Sequence, residues 1–323
     1  MIKSVTAINY LGEEVKIVLT DDEPKHGLLL KSIDGLGPAK ADINTTSLVT
    51  SDGSFYNSSR LEERNIKIAF YFFDDIEEAR NLTYKYFPIK RYVDLIIETT
   101  EKTLRTRGYV ESNEPDIFSK QETTNISIIC PDPYFYDAGP DGIKTTIFSG
   151  IEDEFVFPFE CNISANILPI LDNTSNPIQD SNGDNIESTE YEDDIDYIEF
   201  GSILDHPYRN IEYAGDAEVG IIIRLHFLNT ASNITIYNTT TREEFKLNGE
   251  YQSGDDVVID TKRGEKSVYL YRDGLVTNIL NRIDTDSSWF KLRKGDNFFA
   301  YVAETGVEYI EAEIESETIY DGV

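Results

Sequence analysis

Arg64-Asn65-Ile66-Lys67-Ile68-Ala69-Phe70-Tyr71-Phe72-Phe73, followed at once by Asp74-Asp75-Ile76-Glu77-Glu78-Ala79, is the stretch on which the fold turns. Its first part alternates with period two. Ile66, Ile68, Phe70 and Phe72 share one face, as in a strand with one side against a core. Its second part changes period. Asp74 and Asp75 precede Glu77 and Glu78 by three residues, a capping-box arrangement that sets acidic groups at the positive end of a helix dipole. Ile76, Ala79, Thr83 and Tyr86–Phe87 recur at helical spacing on one face, and Pro88 ends the run. A strand that hands over to a single amphipathic helix makes this part of the chain α+β.

Outward from it, period two dominates. In Val219–Leu228, Ile221, Ile223, Leu225 and Phe227 take one face while Arg224 and His226 take the other. Shorter runs of the same kind occur at Tyr92–Thr99, Asn125–Cys130, Ile234–Asn238, Val257–Asp260, Val268–Tyr271 and Val307–Ile314. Turn signals punctuate them: Asp34-Gly35, Asp52-Gly53, Asn248-Gly249, Arg263-Gly264, Asp273-Gly274 and Lys294-Gly295. The spacing predicts a mainly β protein of antiparallel sandwiches. A second short helix is expected around Leu275–Ile283.

The chain has 323 residues, 40% of them hydrophobic, with 20 Tyr and 17 Phe, enough for two cores at ~150 residues each. The net charge is −31, and it is unevenly spread. Residues 1–136 hold 16 basic and 22 acidic side chains, whereas residues 137–323 hold 13 and 38. The step coincides with Cys130-Pro131-Asp132-Pro133-Tyr134-Phe135-Tyr136-Asp137-Ala138-Gly139-Pro140-Asp141-Gly142, whose prolines and glycines are expected to stop helix and sheet. The domain boundary is placed there, giving 1–136 and 137–323. Leu171–Asp196, with nine acidic residues and no basic one, reads as a solvated insertion between strands. The acidic balance excludes a general nucleic-acid binder and argues against docking on anionic lipid. No apolar run approaches the ~18 residues of a membrane span, and the first ten residues lack a signal-peptide core. Cys130 and Cys161 are too few for a disulfide framework, so synthesis in a reducing cytosol is expected.

Catalytic constellations are hard to assemble from these residues. His26 and His206 fall in polar turns and His226 on a strand face, and no Gly-x-Ser-x-Gly elbow accompanies them. Neither cysteine lies in a Cys-x-x-Cys pair, which speaks against zinc. Asp180, Asn182 and Asp184 are spaced as the start of a calcium loop, but Asn185 and Tyr191 stand where that loop needs Gly and Glu. Gly35-Leu36-Gly37-Pro38-Ala39-Lys40 lacks the ending of a phosphate-binding loop and reads as a tight turn. No acidic pair stands out as a glycosidase acid and base among 60 carboxylates. Trp289, Tyr134 and Tyr136 are candidates to stack on a sugar, core packing being their other reading. No catalytic residue and no cofactor is expected, which leaves a structural or binding role.

A series of segments resembles the distal tail proteins of long-tailed phages, in the same order along the chain. They are Ile33-Asp34-Gly35-Leu36-Gly37-Pro38, Ser51-Asp52-Gly53-Ser54-Phe55-Tyr56, the strand Arg64–Phe73 with its capped helix, and Gly108-Tyr109-Val110-Glu111. Cys130-Pro131-Asp132-Pro133-Tyr134-Phe135-Tyr136 follows and is the most specific. Then come Ala214-Gly215-Asp216-Ala217-Glu218-Val219-Gly220, Val258-Ile259-Asp260-Thr261 and Ser287-Ser288-Trp289-Phe290-Lys291-Leu292-Arg293-Lys294-Gly295-Asp296-Asn297. The acidic insertion departs from the pattern.

The resemblance implies a first β-sandwich with one helix and a long hairpin, six copies of which close into a ring continuous with the tail tube. It implies a second, galectin-like sandwich that projects outward to carry receptor-binding or other baseplate proteins, with the tail-tip hub protein docked beneath. The expected location is the tail tip of a virion assembled in the host cytoplasm. A closed ring is heterologous, one edge of each copy meeting a different edge of the next. A bore that passes DNA without holding it should be acidic, and Glu13, Glu14, Asp21, Asp22, Glu23 and Asp52 are the channel-lining candidates. The alternative from another class is a carbohydrate-binding or adhesin module, with Trp289 as its stacking residue.

Overall fold

A computed structural model of the chain describes residues 2–19, 27–48, 52–116, 118, 121–140, 142–149, 151–152, 166–169, 179, 187–190, 202–203 and 208–323. The first half contains β1 (Ile2–Asn9), β2 (Glu14–Val18), β3 (Leu28–Asp34), β4 (Ala41–Ser47), β5 (Ser54–Leu61), β6 (Arg64–Phe72), α1 (Ile76–Tyr86), β7 (Tyr92–Thr99), β8 (Thr103–Asp116), β9 (Thr123–Cys130) and β10 (Phe135–Asp137). Seven of these strands pair in the order β2-β1-β7-β8-β9-β6-β3, antiparallel throughout. The alternation read from the sequence places Ile66, Ile68 and Phe70 against Val93, Leu95, Leu104 and Ile128 in one core. Helix α1 covers that core through Ala79 and Phe87, and the Phe70 and Phe87 rings lie 5.9 Å apart. Asp75 caps the helix: the Glu78 backbone N–H donates to its Oδ1 at 3.0 Å, and Glu77 and Glu78 fill the first turn.

The second half continues with β11 (Ile143–Ser149), β12 (Ile151–Glu152), β13 (Asn166–Pro169), β14 (Glu187–Glu190), β15 (Ser202–Ile203), β16 (Tyr208–Tyr213), β17 (Val219–Gly220), β18 (Ile222–Phe227), β19 (Ala231–Asn238) and β20 (Glu243–Tyr251). It ends with β21 (Asp256–Asp260), β22 (Ser267–Arg272), β23 (Leu275–Asn278), β24 (Lys291–Leu292), β25 (Gly295–Thr305), β26 (Ile310–Glu317) and β27 (Ile319–Tyr320). A six-stranded sheet, β11-β26-β18-β21-β22-β23, faces a four-stranded one, β16-β25-β19-β20. Their inner faces share one core, with Phe148 against Tyr301 at 5.5 Å and Phe227 stacked on Tyr251 at 4.9 Å. Buried Asp255 closes one end of this sandwich, held by the Arg272 guanidinium and by the Gln252 N–H at 2.8 Å. The mainly β class, with one α-helix among the described residues, is as the sequence predicts.

Four local expectations are corrected. Leu275–Ile283 is not helical beyond one 3₁₀ turn at Leu280–Arg282. The Asp273-Gly274 turn, with φ of 49° and 76°, instead returns the chain as the hairpin strand β23. Val307–Tyr309 is a 3₁₀ turn after left-handed Gly306, and the strand begins at Ile310. Asn248-Gly249 is not a turn but lies inside β20, where two residues oppose Asn233 in a bulge. Phe135–Asp137 is a strand despite its prolines, because Pro131 and Pro133 precede it and its own N–H groups are free to pair.

That strand is a seam between the two cores. Phe135 is buried in the first core, while its neighbours Tyr134 and Tyr136 pack on the second. Strand β27 pairs with it, Phe135 opposite Tyr320 and Tyr136 opposite Ile319. Here too alternation divides the residues: Ile319 belongs to the second core and Tyr320 to the first.

Candidate functional site

Strands β4 and β5 stand apart from every other described strand and pair only with each other, from Ala41↔Leu61 to Ser47↔Ser54. Every residue of β4 is exposed, as is every residue of β5 except Leu61. Polar contacts knit the ribbon: Arg60 Nε to Asp42 Oδ2 at 3.2 Å, Asn57 Nδ2 to Thr46 Oγ1 at 2.7 Å, and Tyr56 Oη to Ser59 Oγ at 2.8 Å. Ile43, Phe55 and Tyr56 are nevertheless 60, 57 and 65% exposed. A two-stranded hairpin is marginal in water by itself, and both its edges carry unpaired backbone groups. Large apolar side chains on such an element mark a surface built to be covered.

The root of the hairpin is held by Arg64, which is 3% exposed. Its Nε donates to Pro133 O at 2.8 Å, Nη1 to Gly35 O at 2.7 Å and to Gly37 O, and Nη2 to Asp321 O at 2.6 Å. Its guanidinium lies 4.3 Å from the centre of the Phe135 ring. Burial pushes its pKa down, but an arginine stays charged, and the four carbonyl dipoles replace the water it has lost. Lys40 and Glu62 close the stem by an ion pair of 3.3 Å and by the Glu62 N–H to Lys40 O at 2.8 Å. The short turn read at Gly35–Lys40 is thus the stem of the hairpin.

The other singled-out residues fall in different places. Asp52 is exposed in the turn between β4 and β5. Glu13 lies at the β1–β2 turn, accepts from Asn9 Nδ2 at 3.0 Å and sits 2.9 Å from Lys85 Nζ at the end of α1. The Lys85 hydrogen bond, then that of Asn9, holds its carboxyl below the usual range. Glu14 opens β2 and is exposed. Asp21, Asp22, Glu23, Asp180, Asn182, Asp184, Cys161, His26 and His206 lie outside the described residues, as does most of the acidic insertion. His226 points from the outer face of the six-stranded sheet, with Nδ1 2.6 Å from Asp256 Oδ1 and with Arg224 beside it, 3.4 Å from Glu315. Trp289 packs edge-on against Phe245 at 5.5 Å, with Lys266 Nζ 5.3 Å from its ring centre. Among the described residues, no group of three His, Cys, Asp or Glu side chains is placed to hold a metal ion, and no helix is long and apolar enough to cross a membrane. Sequence reasoning missed Arg64 and the Asp255–Arg272 pair, whose partners are remote or unmarked by any motif.

Residues 214–313 match the family model described as "Siphovirus-type tail component, C-terminal domain". The fold is that of the Dit protein of phage SPP1, described as a paradigm of the hub adsorption apparatus in phages that infect Gram-positive bacteria. That match has a TM-score of 0.59 and 12% identity, and covers 97% of this chain and 98% of that one. Chains of the phage P2 baseplate in its activated conformation, one solved with Ca and one with Sr, match at TM-scores of 0.46 and 0.43. Their identity is 11%, over 100% of both chains in the first case and 99% of both in the second. No curated protein matches the sequence. The resemblance to siphophage distal tail proteins read from the sequence is borne out by the family match and by the fold.

Proposed function

With a siphovirus-type tail component recognised in its second half and the fold of a phage hub protein along its whole length, we propose that this chain is a structural protein of a siphophage tail tip. Copies form a ring, a homo-hexamer, that joins the tail tube above to the tail-tip hub protein below. The first half, about residues 1–136, makes the ring. The second, 137–323, is the galectin-like sandwich that projects outward and carries receptor-binding or baseplate proteins for host attachment. The ring bore passes DNA and does not hold it, because an acidic lining repels phosphate. Exposed Glu14 fits such a lining better than Glu13, whose carboxylate is engaged by Lys85, and Asp52 is exposed in the turn of the hairpin. The chain carries out no catalysis in this reading.

The observation that carries the proposal is the β4–β5 hairpin, which pairs with no other described strand and carries three large exposed apolar side chains. A neighbouring copy supplies what covers it. Native mass spectrometry of the purified chain should show a six-copy species, and images of it a six-fold ring. A strict monomer at every concentration would count decisively against the ring, and a basic bore in the assembled ring would sink the channel reading. The carbohydrate-binding alternative is weakened by Trp289, whose ring is engaged by Phe245 and Lys266. Glycan binding that vanishes in Trp289→Ala would restore it.

A further inference from the structure

Residues Ile319–Val323 follow the second sandwich and run back across the first half. Ile319 is anchored on the second core: its N–H donates to Tyr213 Oη at 3.2 Å and its carbonyl accepts from the Asp216 N–H at 2.9 Å. Tyr320 then fills the first core, with Lys102 Nζ 3.6 Å from its ring centre. The next three residues meet Arg64 and the stem of the hairpin. Asp321 O accepts a hydrogen bond from Arg64 Nη2, and the Val323 N–H donates to Leu36 O at 3.0 Å. Gly322 passes so close to the stem that a Cβ there would lie 3.1 Å from Leu36 O and 3.4 Å from Pro38 Cδ. Only a residue without a side chain slides under this loop unhindered.

The guanidinium of Arg64 is therefore a four-way junction. It bonds the stem at Gly35 and Gly37, the seam at Pro133, and the returning segment at Asp321. Among the described residues the hairpin pairs with no other strand, and its described attachments to the body lie at this stem. We infer that Asp321–Val323, seated through Arg64, is a brace by which the second sandwich sets the position of the β4–β5 hairpin and so the geometry of the contact between copies. The last step rests on the proposed role of the hairpin in the ring. The brace itself does not, since it is a property of a single copy.

The test uses the full chain with Gly322→Val, which wedges the segment off the stem, and with Arg64→Lys, which keeps the charge but loses the planar fork. Hydrogen exchange of Lys40–Glu62 is read on dilute single copies, and assembly is read by mass photometry. Each variant loses at least one charge-assisted hydrogen bond, so hairpin and stem amides should exchange about ten-fold faster or more, with amides of β18 and β25 unchanged. Assembly should need a correspondingly higher concentration. Hairpin exchange that stays at the parent rate in Gly322→Val would overturn the brace. So would acceleration spread equally over β18 and β25, because that reports general destabilisation. A loosened hairpin with assembly undiminished would leave the brace standing and overturn the hairpin as the contact between copies.

Discussion

Arg64 shows what one side chain can carry when its charge is balanced by carbonyls alone. Replacing it with alanine strips hydrogen bonds from three backbone segments and leaves a cavity beside Phe135. Arg64→Ala is expected to destabilise the fold by about 3 kcal/mol or more, seen as a lower urea midpoint at unchanged slope. Asp255 makes a prediction with pH. The Arg272 hydrogen bond holds its carboxyl below the ordinary range. A carboxyl whose pKa is lower in the folded state stabilises above its unfolded value of about 4, and that contribution is lost as pH falls through the lower folded value. Asp255→Asn should therefore lower the melting temperature at neutral pH and flatten its decline below about pH 4. A decline as steep as the parent's would assign the acid sensitivity to other groups. At this scale, legibility follows sequence distance. The Asp75 cap was readable because its partner is three residues away, while the Arg64 acceptors lie 27 to 257 positions off.

At the scale of elements, period two located the buried strands well, because each has one wet and one dry face. β6 and β18 bury the residues that alternation assigns them. Signals failed where tertiary pairing overrode local preference. The Leu275–Ile283 run has apolar spacing suited to a helix, but the tight Asp273-Gly274 turn delivers it to the edge of a sheet, where the ladder wins. No period marks the hairpin, because β4 and β5 bury almost nothing, so a long hairpin was expected from the resemblance alone. Its exposed apolar side chains also make it testable. Ile43→Lys on β4 is expected to abolish association while changing subunit stability by less than about 0.5 kcal/mol, since the side chain is solvent-exposed in the single copy. Native mass spectrometry with thermal unfolding separates the two effects, and a variant that still assembles at the parent concentration would move the contact elsewhere.

At the scale of the whole molecule, each copy brings a charge of −31 to any assembly, most of it in the second half. Packing such copies side by side is opposed by long-range repulsion that salt screens within about 10 Å at 0.1 M. Association should therefore tighten as salt rises from about 0.02 to 0.3 M, the reverse of an interface held by ion pairs. Mass photometry across that range reads it directly, and weakening with salt would place complementary charges at the contact. The charge step near residue 137 was legible, and so was the density of turn residues there. What no local pattern revealed is that two three-dimensional cores meet through β10 and β27, because their register joins positions almost two hundred residues apart.

The alternation at Ile319 and Tyr320 also bears on how such a molecule can be altered by recombination. Two adjacent residues face opposite interiors, so inserting or deleting a single residue ahead of them would exchange the isoleucine and the phenol between interiors shaped for the other. A viable crossover that trades the second sandwich must consequently match two splice points, one at the proline-rich entry and one at the return. Lineages that shuffle this lobe should inherit both junctions from the same parent.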